Sequence, residues 1–169
     1  MMRNPRWARY WPTHVVLRIA TLGNLGSLKA PGTWGSAAGV LVYVVLFYRL
    51  TGFFGILLIL GACYFAIGIC GEAEKRMKKV DPGEIVLDEV VAMPICYLGM
   101  KPFMEEGYTP LILASGFIVF RLFDILKPFG IKRLQRYYGG FGVVIDDVVA
   151  AIATCLILNL GLRLWLGFS

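Results

Sequence analysis

One histidine, His14, is all the sequence offers, so a histidine-based phosphatase or a histidine-rich zinc site is excluded within one chain. The four cysteines, Cys63, Cys70, Cys96 and Cys155, lie in apolar runs without C-x-x-C spacing. They read as small buried hydrophobes, which excludes a disulfide framework and a zinc ribbon. Cys70 and Arg76 do have the C-x5-R spacing of cysteine-dependent phosphatases, but Glu72 and Glu74 between them would repel a phosphate. Charge is scarce too. Charged residues make up 17% of the chain, against 58% hydrophobic residues and a mean hydropathy of +0.70. That balance excludes an ordinary soluble domain and points to a membrane protein, and 169 residues fit one domain, residues 1–169. No basic stripe with interleaved aromatics appears, so no nucleic acid is expected as a partner. The formal charge of +6 instead suits a lipid bilayer with an anionic cytoplasmic leaflet. No signal peptide is expected, because the N-terminal segment is aromatic and basic without a cleavable apolar core.

Acidic residues are few, 11 in all, yet Asp81, Glu84, Asp88 and Glu89 crowd into residues 81–89, DPGEIVLDE. Pro82 and Gly83 mark a turn, and Asp81 suits the cap of a helix beginning near Glu84. On such a helix Glu84 and Asp88 share a face, with Glu89 beside them. Crowded carboxylates at the mouth of an apolar helix repel one another unless a cation sits between them. The plain alternative is a solvated helix cap.

Apolar helices are expected over about 37–50, 53–70, from the acidic motif to about Leu98, 110–126 and 146–166, with Pro94 kinking the third. A loop is expected over 101–109. This is an all-α, multi-helix membrane protein with about five apolar helices, several of them shorter than the ~20 residues a bilayer needs. With the N-terminus inside and five crossings, the inner segments are 1–36, 71–84 and 127–145. They hold all the basic residues except Arg49, Lys101, Arg121 and Arg163, as the positive-inside rule asks. The polar motifs then gather at the cytoplasmic edge.

Those motifs are four. Residues 22–36, LGNLGSLKAPGTWGS, place Pro31, Gly32 and Gly35 where a regular helix is not expected before Ser36. Glycine lets backbone N–H groups approach an anion, and Lys29, Thr33 and Ser36 could add donors; the G-K-[ST] ending of a P-loop is missing. The alternative is an ordinary loop with a helix cap. Residues 81–89 are the second motif. In FRLFDILKP, residues 120–128, Arg121, Asp124 and Lys127 stand three apart and form one polar strip on an apolar helix. In GGFGVVIDD, residues 139–147, a flexible glycine turn leads to Asp146 and Asp147, of which only one is expected to face a site. Oxygen ligands without histidine or cysteine suit a hard cation, and Mg2+ is the usual partner of phosphate groups. Carboxylates for a metal, basic groups for anionic oxygens and a glycine segment for phosphate describe metal-assisted phosphoryl chemistry on a phosphorylated lipid.

Residues 31–36, 81–89, 120–128 and 139–147 together resemble the signature segments of bacterial phosphatidylglycerophosphatase A, in the same order, over about residues 26–151. The resemblance implies a Mg2+-dependent phosphatase of the bacterial cytoplasmic membrane, its site facing the cytoplasm. It would convert phosphatidylglycerophosphate to phosphatidylglycerol and inorganic phosphate. One departure is visible after Lys127, where the sequence reads PFGI and the family more often has a second proline; Gly130 loosens that turn. On this reading Asp88, Glu89, Asp124 and Asp146 or Asp147 hold Mg2+, with Glu84 as a ligand or base. Arg121 and Lys127 neutralise the phosphate, and Lys29, Gly32, Thr33, Gly35 and Ser36 cradle it. The rival readings are a membrane cation channel or transporter, and another Mg2+-dependent enzyme of phospholipid headgroups. A CDP-alcohol phosphotransferase lacks support, because its D-G-x2-A-R pattern is absent. The basic groups beside the acids oppose cation passage.

Overall fold

The computed structural model describes residues 5–50, 52–127 and 139–167, and among these it is helical with no strand. A 3-10 turn, Arg6–Tyr10, and helix α1, Thr13–Ala20, precede α2, Pro31–Val42, which runs on through a wider π turn, Tyr43–Phe47. There follow α3, Gly52–Met77, and α4, Leu87–Cys96. A short α5, Lys101–Phe103, and a π turn, Met104–Tyr108, lead into α6, Thr109–Leu126; α7, Gly140–Leu166, ends the chain. Arg3, Lys132, Arg133 and Arg136, and the PFGI turn with Pro128 and Gly130, lie outside the described residues.

Three stretches are long and apolar enough to cross a bilayer, Gly52–Met77, Lys101–Leu126 and Gly140–Trp165. Their outer faces expose Phe53, Leu60, Leu122, Ile125, Leu156 and Leu160, a contiguous apolar surface that lipid would cover. The expectation of five crossings is corrected here. Pro31–Phe47 is shorter, and α4, with 10 residues, is only about 15 Å long. Its apolar sequence has a different cause. Every residue of α4 is buried, because α2, α3, α6 and α7 all pack around it. It is the central core helix of the bundle.

Three helix starts also differ from the sequence-based expectation. Helix α2 begins at Pro31, not after Ser36, because proline at the first helical position surrenders an N–H that had no partner there anyway. Helix α4 begins at Leu87, not Glu84; its N-cap is Val86 and not Asp81, which has a left-handed φ of 47° in the turn. Helix α7 begins at Gly140, so the glycine turn before Asp146 is itself helical. The stretch 101–109 is helical as well, broken at Gly107 with φ 100°. Pro94 lies inside α4, and the helix stops two residues later. The Leu98 carbonyl beyond it accepts from Asn159 Nδ2 of α7 at 3.0 Å, which satisfies a part-buried backbone group beyond the helix end.

Gly140 shows how the bundle closes. A Cβ there would overlap the Ile67 carbonyl oxygen and lie 2.5 Å from the Gly71 nitrogen, so α3 and α7 cross backbone to backbone. Neither atom can swing aside. Gly140→Ala is therefore expected to destabilise the protein by roughly 1–3 kcal/mol, although alanine alone would favour a helix by about 1 kcal/mol. Thermal unfolding in detergent reads this directly; a variant as stable as the parent would refute the close crossing.

Candidate active site

At one end of the bundle the start of α2, the start of α4, the last turn of α6 and the first turns of α7 come together. Asp88 and Glu89 occupy the first turn of α4, where the helix N-terminus favours negative charge. Asp147, two turns into α7, brings a third carboxylate, and one oxygen from each of the three lies within 4.8 Å of the others. All three are buried. Asp88 Oδ1 and Glu89 Oε2 have no hydrogen-bond partner among the described residues. A buried carboxylate oxygen without a partner is costly. Three converging oxygen donors fit a hard divalent cation such as Mg2+.

Basic groups border this cluster. Arg121 lies 2.7 Å from Asp124 Oδ2 and 3.5 Å from Glu89 Oε1. Lys127 pairs with Asp146 and lies 3.9 Å from Asp124 Oδ1. The strip expected from the three-residue spacing is therefore real, and α7 extends it through Asp146. Lys127 is the left-handed C-cap of α6, with φ 41°, and its N–H closes on the Phe123 carbonyl at 2.8 Å. A non-glycine residue rarely sits in this region, and such strain is retained where a side chain must be aimed.

Five carboxylates, Asp88, Glu89, Asp124, Asp146 and Asp147, thus face two cations, Arg121 and Lys127. The imbalance shows in the groups outside the spanning segments. Burial pushes Asp88 well above the usual carboxylate range, aided by the charges of Glu89 and Asp146. Burial, then the charge of Asp124, raises Glu89 to about 8 against the pull of Arg121. Burial works against the charge of Lys127, but the hydrogen bond to Asp146 and the surrounding carboxylates outweigh it and raise its pKa. Without a cation these effects favour the protonated forms of Asp88 and Glu89.

The N-terminus of α2 forms the adjoining wall. A Cβ on Gly32 would overlap Glu89 Oε1 and lie 2.7 Å from Arg121 Nη1; one on Gly35 would lie 2.7 Å from Glu89 Oε2. No side chain caps this helix at Ala30; Pro31 has no N–H and that of Thr33 donates to the Ala30 carbonyl at 3.0 Å, while the Gly32 N–H has no backbone acceptor among the described residues. The two glycines belong to the site. Ser36 is buried, and its hydroxyl donates to the Gly32 carbonyl at 2.8 Å, while Lys29 and Thr33 are exposed.

Glu84 is not brought into the cluster. It lies in the turn before α4 and pairs with Lys79 at 2.7 Å, a hydrogen bond that lowers its pKa. Asp146 and Asp147 part company as expected, one to Lys127 and the other to the carboxylate cluster. Sequence reasoning took Asp81 for a helix cap, whereas it stands exposed at the rim with its charge bearing on Asp88 and Glu89. It also missed the Ala20 carbonyl, which accepts from the N–H of Val86 at 3.0 Å and so ties the end of α1 to the N-cap of α4. Nothing in the residue pattern signals that bond. His14 is exposed on α1, away from these groups. Cys70 and Arg76 both lie on α3 and form no phosphate loop.

The profile of the Phosphatidylglycerophosphatase A family matches residues 18–162. The chain is 39% identical over 131 residues to Phosphatidylglycerophosphatase A of Haemophilus influenzae, covering 76% of each chain. It is 32% identical over 129 residues to Phosphatidylglycerophosphatase A of Escherichia coli, covering 76% of this chain and 72% of that one. It is 31% identical over 152 residues to a provisionally named phosphatidylinositol-3-phosphatase of Bacteroides thetaiotaomicron, covering 87% and 93%. No solved structure matches the chain significantly.

Proposed function

The chain belongs to the phosphatidylglycerophosphatase A family and is a phosphatase, and from that premise we propose that its substrate is phosphatidylglycerophosphate. It hydrolyses the terminal phosphomonoester to phosphatidylglycerol and inorganic phosphate, a step of phospholipid biosynthesis, with Mg2+ as cofactor. The site faces the cytoplasm in a bacterial inner membrane, which accords with the basic residues at its end of the chain. The observation that carries this reading is the trio of Asp88, Glu89 and Asp147, in which Asp88 Oδ1 and Glu89 Oε2 are buried without a partner among the described residues, set beside two basic side chains.

Asp88, Glu89 and Asp147 would hold the ion. Bound there, Mg2+ supplies positive charge to a phosphoryl oxygen and lowers the pKa of water. The chain's own groups do the rest. Arg121, held by Asp124, and Lys127, held by Asp146, set two fixed positive charges against the remaining phosphate oxygens. The Gly32 N–H at the start of α2 adds a neutral donor. Water attacks phosphorus in line, the bond from phosphorus to the glycerol oxygen breaks, and the water's proton passes through a carboxylate of the cluster to the leaving alkoxide. Burial keeps these dipoles fixed and bulk water out.

Purified protein with phosphatidylglycerophosphate tests this. Phosphate release is expected with Mg2+, lost in EDTA and restored by added Mg2+. No release from this lipid, with release from phosphatidylinositol 3-phosphate instead, would replace the proposed substrate. Because Glu84 makes only an exposed pair with Lys79, Glu84→Gln is expected to keep activity within about twofold. A loss comparable to that of the Asp147 variant would return Glu84 to the chemistry.

A further inference from the structure

We propose that the N-terminal arm, residues 5–20, is a binding surface for the anionic headgroups of bilayer phospholipids, distinct from the carboxylate site. The arm up to Leu17 precedes the family-matched region, which begins at residue 18. It is nevertheless firmly seated. The Arg76 guanidinium donates to the carbonyls of Trp11 at 2.9 Å and Arg9 at 3.3 Å, and to Thr13 Oγ1 at 3.3 Å, while Nε holds Glu72 at 3.0 Å. Trp7 stacks on Phe65 of α3 with ring centroids 5.3 Å apart. Val16 and Ala20 bury the inner face of α1.

What the arm turns outward is basic and aromatic. Arg6, Arg9 and Arg18 are exposed, and no ion pair among the described residues holds them. Tyr10 is 82% exposed, and Trp11 stands beside it. Lys75, Lys78 and Lys79, at the end of α3, are exposed on the same end of the bundle. The Ala20–Val86 hydrogen bond places this surface at the level of the carboxylate helix. Aromatic rings with interleaved arginines on a rigid, membrane-level segment match the charge and polarity of an anionic headgroup layer. A structural arm alone would need its inner face only.

The test uses the full chain with Trp34→Phe and Trp165→Phe, so that Trp7 and Trp11 report. Bicelles of phosphatidylcholine carry a fixed fraction of brominated phosphatidylglycerol or, as control, brominated phosphatidylcholine. Quenching should indicate enrichment of the anionic lipid of about fivefold or more around the arm, fading as salt rises. The Arg6→Gln/Arg9→Gln/Arg18→Gln variant should lose that excess, and the corresponding lysine variant should keep it. Truncation is avoided because it would remove the acceptor of Val86. Equal quenching by the two lipids, or an excess unchanged in the glutamine variant, would overturn the proposal. Phosphate release from a short-chain substrate is measured alongside. Its absence in the parent would count against the proposed hydrolysis and leave the lipid preference standing.

Discussion

Asp147→Asn is expected to abolish phosphate release while making the metal-free protein more stable. The two effects have one origin. Three buried carboxylates with oxygens within 4.8 Å repel one another by about 3 kcal/mol per ionised pair at an effective dielectric of 20. The raised pKa values of Asp88 and Glu89 express this repulsion together with burial, which favours their protonated forms in the unloaded protein. Replacing one carboxylate by a neutral amide of the same shape removes repulsion outright, so thermal unfolding in EDTA should move up by several degrees, on the order of 1–2 kcal/mol. Activity should fall at least about a thousandfold, because the ion loses a ligand and the phosphate loses its charge partner.

Added Mg2+ separates this from a general loss of fold. It should stabilise the parent by about 2–3 kcal/mol when its concentration reaches a hundred times the dissociation constant, and should leave the variant nearly unmoved. Asp88→Asn should behave in the same way. A variant that keeps substantial activity, or that responds to Mg2+ as the parent does, would remove Asp147 from the site.

The second large effect is expected at Gly35. Its added Cβ would lie 2.7 Å from Glu89 Oε2 and 2.9 Å from Val86 Cβ, so Gly35→Ala must push the carboxylate or the N-cap of α4 aside. Overpacking costs about 1–3 kcal/mol, and the better helix propensity of alanine returns about 1 kcal/mol. Net stability should therefore fall by no more than about 2 kcal/mol. Phosphate release should fall roughly a hundredfold, the usual consequence of moving a reacting group by about 1 Å.

Gly39→Ala is the matched control. It lies one turn on, and its Cβ would meet Met93 Cβ at 2.6 Å in the apolar core. Unfolding should show a stability loss there, with the Mg2+ response unchanged. Glu89→Asp in the Gly35→Ala background shortens the crowded side chain and should recover part of the activity. If Gly35→Ala and Gly39→Ala shift the Mg2+ response equally, the wall formed by α2 has no particular bearing on Glu89.

The local regularities were legible without a structure. Arg121, Asp124 and Lys127 share a face because three-residue spacing on any helix puts them there, and the structure pairs them as that spacing requires. The apolar composition gave helices and membrane character, yet it could not separate lipid-facing α3, α6 and α7 from the enclosed α4, since both environments favour the same side chains. The glycines of residues 31–36 and 139–142 read as loops, because propensity describes an isolated segment. In the packed bundle Gly32, Gly35 and Gly140 are helical, and their missing Cβ atoms admit a neighbouring backbone or carboxylate.

By itself the sequence determined an all-helical membrane protein whose acidic and basic residues fall in four short motifs, since composition and short-range spacing carry that information; the phosphatase reading came from the resemblance of those motifs to a known family. Only the tertiary structure decided which acids act together. Asp88, Glu89 and Asp147 converge, Asp146 and Asp124 are neutralised by Lys127 and Arg121, and Glu84 stays in a solvated turn. The reason is electrostatic. A carboxylate's role follows from its burial and from the charges within a few ångströms, and neither quantity is set by position along the chain.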